Sequence, residues 1–208
     1  QRPLELGADL SLQSASKSLA GHADLLAGSA AGSTELIARI RQVRTLTGPV
    51  LDPHACWLLL RGIQTLALRV RAQSGTALEL ARLLEASPEV DLVRYPHLES
   101  HPGYAVARRQ MASGGTMLSF SLTEGIEGTR RFVEALAWIP IASSLGSVYT
   151  SVEVPEELDF SEEELGDRSP SFDMPPGLIR LSVGAEAFAD LERDMRRGLS
   201  AAAGSTSA

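Results

Sequence analysis

The sequence predicts an α/β protein, on three observations. Residues 8–13 and 117–122 alternate apolar and polar side chains, the period of strands with one buried face, and 178–183 form a short, mostly apolar run of strand length. Longer stretches between them carry apolar residues three and four apart, the period of helices. Proline and glycine mark the joints, as at Gly48-Pro49 and Ser87-Pro88. Alternation of this kind packs helices against one side of a sheet.

Taken in order, residues 8–13 predict a strand, and the apolar run 25–31, ending in small residues, predicts a second. Residues 34–46 read as a helix with Leu36, Ile37, Ile40 and Val43 on one face, broken by Gly48-Pro49. Asp52 is placed to cap a new helix whose first residue is Pro53. That pattern runs through Leu84, long enough to join two units, with Gly62 and Gly75 as the places for a bend. Residues 90–95 predict a strand, 105–111 a helix and 117–122 another strand. Residues 126–137 form an amphipathic pattern with Phe132, Val133 and Leu136 inward. Residues 139–143 and 178–183 predict two more strands, and 187–199 a closing helix with Met195 and Leu199 in the core. The small, polar tail 201–208 is expected to fray. The sequence divides at the Asp52 cap, into residues 1–52 and residues 53–208.

Composition narrows the function. A net charge of −7 argues against a nucleic-acid partner, which calls for clustered basic residues. No apolar run approaches the ~20 residues that span a bilayer, so no membrane partner and a cytoplasmic location are expected. The single cysteine, Cys56, excludes an intrachain disulfide and any multi-cysteine metal site. It lies in an apolar helical pattern and is expected to pack there. His97 and His101 are four apart, but Pro96 and Pro102 place them on a loop, so no metal site is expected.

One residue stands out chemically. Lys17 is the only lysine, against 18 arginines. Arginine stays charged, whereas a desolvated lysine can lose its proton and attack a carbonyl. Condensation with an aldehyde cofactor is work for an amine that a guanidinium cannot do. Lys17 sits in Ser14-Ala15-Ser16-Lys17-Ser18-Leu19-Ala20-Gly21-His22-Ala23-Asp24, on a loop between the first two strands. Small hydroxylated neighbours let a phosphate approach and donate hydrogen bonds to it. An amine beside phosphate-binding hydroxyls suits pyridoxal 5'-phosphate (PLP), with Ser14 and Ser16 as the donors.

This stretch resembles the Ser-Ala-Thr-Lys-aromatic-hydrophobic-x-Gly-His-Ser-Asp signature of the Cys/Met-metabolism PLP enzymes. These include cystathionine gamma-synthases, cystathionine beta- and gamma-lyases, methionine gamma-lyases and O-acyl-homoserine sulfhydrylases. The resemblance continues, in order, through six blocks. They are Trp57-Leu58-Leu59-Leu60-Arg61-Gly62, Ser100-His101-Pro102, Ala107-Arg108-Arg109-Gln110-Met111, Gly115-Thr116-Met117-Leu118-Ser119-Phe120, Ser144-Leu145-Gly146 and Leu178-Ile179-Arg180-Leu181-Ser182-Val183-Gly184. It implies PLP fold type I, the aspartate-aminotransferase-like α/β fold. Residues 1–52 would then end the large cofactor domain, and residues 53–208 would supply the linking helix and the small C-terminal domain.

The resemblance covers about the second half of such an enzyme. In the family the first half supplies a glycine-containing phosphate loop, a tyrosine stacked on the pyridine ring and an aspartate at the ring nitrogen. Those motifs do not occur in this sequence. The expectation is an enzyme completed by an N-terminal half, in the same chain or another, and assembled as a homo- or hetero-oligomer, dimer or tetramer. The resemblance implies elimination or replacement of a β or γ substituent on a sulfur-containing or O-activated amino acid. Lys17 would carry the cofactor and then move protons at the substrate. The alternative is a non-catalytic or degenerate structural subunit of such an enzyme, for which the retained Lys17 motif would have no use.

Arg180 is an arginine inside an otherwise apolar strand, and a guanidinium buried there demands a carboxylate of the protein or of a ligand. The resemblance assigns it the α-carboxylate of the substrate amino acid, which its planar fork suits, and places Ser144 near the same carboxylate. Several positions depart from the family pattern. Ser16 replaces threonine and keeps the hydroxyl; Ser18 replaces an aromatic. Ser143 stands at a substrate-binding position where cystathionine-handling members often carry glutamate. Val154-Pro155-Glu156-Glu157-Leu158-Asp159-Phe160-Ser161 replaces a His-Pro-Ala-x-Met-Thr-His stretch, and the following acidic run Glu162-Glu163-Glu164 is expected to disfavour anionic substrates. Ser14-Ala15-Ser16-Lys17 also fits the Ser-x-x-Lys element of penicillin-recognising enzymes, but those need a second lysine in Lys-Thr-Gly, and there is none.

Overall fold

A single row of apolar side chains explains the larger of two sheets. Leu118, Phe120 and Leu122 alternate along one strand, Ile179, Leu181 and Val183 along another, and Val152 and Val154 along a third. Register places Leu118 opposite Leu181, Phe120 opposite Ile179, and Val152 opposite Leu181, so the row is continuous across the sheet. The computed structural model describes residues 1–155 and 175–204. Within them the strands are β1 (Leu10–Ser14), β2 (Gly28–Gly32), β3 (Val90–Arg94), β4 (Met117–Leu122), β5 (Ser151–Glu153) and β6 (Ile179–Ser182). The helices are α1 (Thr34–Thr47), α2 (Pro53–Gln64), α3 (Leu66–Glu85), α4 (Tyr104–Gln110), α5 (Gly125–Ala135) and α6 (Phe188–Ala202).

β1 and β2 form an antiparallel pair, and β3-β4-β6-β5 form an antiparallel four-stranded sheet. The apolar face of the larger sheet packs with Leu80 and Leu84 of α3, Phe132 of α5, and Leu191, Met195 and Leu199 of α6. Phe120 meets Phe132 edge-on, with ring centroids 5.5 Å apart. Because strand side chains alternate, the opposite face carries the polar partners: Ser119, Arg180 and Glu153 form one cross-strand row, and Met117, Ser182 and Ser151 the next.

The structure corrects five expectations. The long helix breaks at Thr65, not at Gly62 or Gly75. Thr65 has non-helical backbone angles, and Gly62 O accepts from the Arg69 guanidinium instead of continuing the helical ladder. Gly62 serves packing: a Cβ there would lie 2.3 Å from Ala20 O. Residues 139–143 are not a strand; one parallel bridge, Ile141 to Val152, is all they make, and the Asp194 carboxylate takes the N–H groups of residues 137–139. The three-residue β5 pairs with β6 where no strand was expected. Cys56 is exposed and not packed, its thiol reaching Leu51 O at 3.9 Å just before α2. The closing helix also runs into the expected tail, as far as Ala202, because Ala202 completes the apolar stripe of Leu191, Met195 and Leu199.

Candidate active site

Lys17 lies on a wide turn, residues 15–19, that follows β1 directly. The Ala20 N–H reaches back five residues to Ala15 O at 3.0 Å, and Lys17 itself leaves helical geometry at φ −89°, ψ −132°. The turn is closed by Ala27, whose carbonyl accepts from the N–H groups of Ala15 and Ser16. Ala27 N–H donates to the Ser16 hydroxyl at 2.9 Å. Ser16 thus ties the lysine turn to β2 through its side chain. Ser14, the last residue of β1, is exposed.

The amine of Lys17 meets Ser144 from the distant end of the chain, Nζ to Oγ 3.4 Å. No carboxylate pairs with Lys17 among the described residues. Gly146 explains how the two segments come so close. Its φ of +77° favours glycine, and a Cβ there would stand 2.7 Å from the Ser18 N and Oγ atoms. Gly146 N–H donates to Ser182 Oγ at 3.0 Å, and Val148 N–H to Gly21 O at 2.9 Å, so the loop is held from both sides.

Arg180 stands on the polar face of β6. Its guanidinium donates to Ser143 O at 3.1 Å and forms an ion pair with Glu153 of β5. Ser143 therefore contributes its carbonyl to this cluster. The structure brings Lys17, Ser144, Ser143 and Arg180 into one connected group, with Ser16 bracing the lysine turn, while Ser14 is exposed at the end of β1 and makes no hydrogen bond to the group. Val154 and Pro155 end the described part of their segment, and the acidic run Glu162 to Glu164 lies outside the described residues.

Sequence reasoning missed the residues that hold this group. Arg69, buried in α3, donates to Ser18 O (2.9 Å), Leu19 O (3.3 Å), Gly62 O (2.8 Å) and Thr65 Oγ1 (3.1 Å). Burial holds its guanidinium below the usual arginine value. Gln73, one turn on, donates from Nε2 to Ser147 O at 2.6 Å and Val183 O at 2.9 Å. The Glu186 carboxylate accepts from the Thr150 N–H and hydroxyl, and Thr150 Oγ1 in turn accepts from Gly184 N–H. Glu153, the ion-pair partner of Arg180, was missed as well.

This donor set suits PLP: an amine with no carboxylate partner among the described residues, hydroxyls beside it, and a guanidinium on the same cluster. The model of the Cys/Met metabolism PLP-dependent enzymes matches residues 1–200. The chain belongs to that family. Its relatives include L-methionine gamma-lyase from Pseudomonas putida, 43% identical over 98% of this chain and 51% of its own length. Cystathionine beta-lyase from Lactococcus lactis is 43% identical over 96% of this chain and 52% of the relative. Among solved structures, cystathionine gamma-synthase from Xanthomonas oryzae pv. oryzae, in complex with cystathionine, superposes with a TM-score of 0.89. It is 36% identical, and the match covers 98% of this chain and 52% of that one. A methionine gamma-lyase from Micromonospora echinospora gives 0.84 at 40% identity, over 96% of this chain and 51% of that one. The chain spans about half the length of the relatives it matches. Its α/β fold is that of these PLP enzymes, and no helix among the described residues is long and apolar enough to cross a membrane.

Proposed function

We propose that this chain supplies the lysine-bearing half of a PLP enzyme that eliminates or replaces a β or γ substituent of a sulfur-containing or O-activated amino acid. One observation carries the reading: the sole lysine reaches Ser144 across 127 residues of chain, on the loop whose preceding carbonyl binds Arg180. Names among the relatives, methionine gamma-lyase and cystathionine beta-lyase, support the substrate class.

Lys17 would hold the cofactor, with Ser14 and Ser16 beside its phosphate. When bound, PLP supplies an electron sink for charge developing at the substrate α-carbon. Lys17 Nζ would take and return protons at the substrate. A base working near neutral pH needs an amine that can be neutral, which arginine cannot provide. Ser144 Oγ, within reach of Nζ, orients that amine. Arg180 would take the substrate α-carboxylate, and Ser143, through its carbonyl, steadies the guanidinium.

The same proposal includes an N-terminal half, since the relatives are about twice as long. Leu36, Ile37, Ile40 and Val43 of α1 line an open groove against the β1–β2 pair, where such a half would seat. Trp57, Leu60 and Ile63, exposed on α2, support assembly into a dimer or tetramer. A free thiol at Cys56 fits a reducing cytoplasm.

The test is a visible spectrum of the purified native protein, followed by borohydride reduction, peptide mapping and assay with L-methionine and L-cystathionine. A yellow protein with a pyridoxyl mass on the Lys17 peptide and release of a thiol is the expected result. A colourless protein that takes up no PLP would overturn the reading in favour of a structural subunit.

A further inference from the structure

We propose that Arg69 and Gln73 are paired positioning residues, together setting the distance between Lys17 and the Arg180–Ser144 side of the site. The proposal rests on the function given above. The two residues lie four apart on α3, hence on one face and one turn apart. Both are buried, Arg69 at 7% and Gln73 at 0% exposure.

Their hydrogen bonds divide by segment. The Arg69 fork takes the carbonyls of Ser18 and Leu19, the two residues that follow Lys17. The same guanidinium takes Gly62 O, so the lysine turn is pinned to the end of α2. Gly21 leaves room for the fork: a Cβ there would fall 1.9 Å from Arg69 Nη1. The Gln73 amide spends its two hydrogens on Ser147 O and Val183 O. Ser147 lies three residues beyond Ser144, and Val183 three beyond Arg180. One amide therefore couples the serine loop to the arginine strand, and the next guanidinium along the helix couples the lysine turn to the same rod.

The physical consequence is a division of labour. Losing the Arg69 fork frees carbonyls beside Lys17, and a displacement of ~1 Å at a reacting group costs about 10²-fold in rate. Losing the Gln73 amide frees carbonyls beside the substrate-carboxylate group, so the loss falls on substrate binding.

The experiment compares Arg69→Met, Arg69→Lys and Gln73→Met in the holoenzyme. The readouts are the pH titration of the visible band at Lys17, the Kd for L-norleucine, and kcat and KM. Amide hydrogen exchange of the cofactor-free protein adds a readout independent of activity. Arg69→Met is expected to move the band's titration midpoint by about one pH unit and to speed exchange in residues 15–21, with the L-norleucine Kd little changed. Arg69→Lys, which keeps charge without the fork, shows the same effects at smaller size and serves if Arg69→Met does not fold. Gln73→Met is expected to raise KM and the L-norleucine Kd about tenfold, to speed exchange in residues 144–150, and to leave the band in place. The proposal is overturned if both residues move the same readouts together, or if only thermal stability falls. Absence of a Lys17 band in the unsubstituted protein would overturn the function itself, a distinguishable result.

Discussion

Arg180 and Glu153 are register partners on β6 and β5, and their side chains form an ion pair across the ladder. The carboxylate is the deeper member, its side chain 6% exposed against 32% for the guanidinium. Removing the arginine therefore leaves a buried carboxylate uncompensated, whereas removing both leaves none. Arg180→Ala is expected to cost ~3 kcal/mol of stability and to raise KM for the amino-acid substrate. Arg180→Ala with Glu153→Ala should regain part of the stability and none of the substrate affinity. Urea midpoints and KM values of the two variants check this; equal midpoints would show that the pair contributes nothing.

At Lys17 the prediction separates charge from chemistry. Lys17→Arg keeps the cation, and Lys17→Ala removes it, yet both lose the amine. Both are expected to lose about 10²–10⁴-fold or more in turnover and to yield no pyridoxyl peptide after borohydride. Ser144→Ala, which removes the 3.4 Å contact to Nζ, should retain the peptide label and lose only part of the rate. Restored turnover in Lys17→Arg would exclude Lys17 as the working base.

These two residues were legible in the sequence because each is chemically out of place: a lone amine among guanidiniums, and a cation in an apolar strand. The strand β4 was legible because alternation persists for several residues, and β6 because its apolar run has the length of a strand. Arg69 and Gln73 were not, since a polar side chain at a helical position looks the same whether it meets water or a carbonyl. β5 is three residues long, too short to show a period. Residues 139–143 misled because they are apolar like a strand, while Ile139 N–H is taken by a side chain 55 residues away and only Pro140 to Ala142 meet a strand backbone, at Val152.

Tyr95 gives a prediction in pH. Burial pushes its phenol from 10.0 up to about 12. The unfolded chain loses this proton near pH ~10, whereas the folded chain keeps it. The contribution is thus complete below pH 10, declines as pH rises from there, and is lost once pH passes about 12. Tyr95→Phe removes the hydrogen bonds to Ser74 O and Gly115 O, costing ~1–2 kcal/mol at neutral pH. Its alkaline decline should be correspondingly shallower. Denaturation midpoints at pH 7 to 11 give the comparison, and parallel curves would rule the phenol out.

Asp194 is a stability residue that resembles a surface charge in the sequence. Its carboxylate accepts from the N–H groups of Ala137 (2.8 Å), Trp138 (3.3 Å) and Ile139 (3.2 Å). Asp194→Asn replaces one acceptor oxygen with an N–H₂ facing backbone donors and is expected to cost about 2 kcal/mol. A urea midpoint unchanged from the unsubstituted protein would mean that residues 137–139 find other acceptors.

Two glycines of the long helical segment should respond in opposite directions to the same substitution. At Gly75 of α3 an added Cβ meets nothing within 4 Å, so Gly75→Ala removes only unfolded-state freedom. It is expected to stabilise by ~0.4–1 kcal/mol. At Gly62 of α2 the Cβ would lie 2.3 Å from Ala20 O and 2.9 Å from Ala20 Cα, both backbone atoms that cannot rotate aside. Gly62→Ala must push α2 away from the turn that carries Lys17, stretching the Arg69 bonds that bind Gly62 O to Ser18 O. Its expected signature is lower stability together with weaker PLP retention, whereas Gly75→Ala keeps PLP fully. Dialysis against buffer without PLP, followed by absorbance, separates the two, and equal retention would mean that the helix approach does not place the lysine turn.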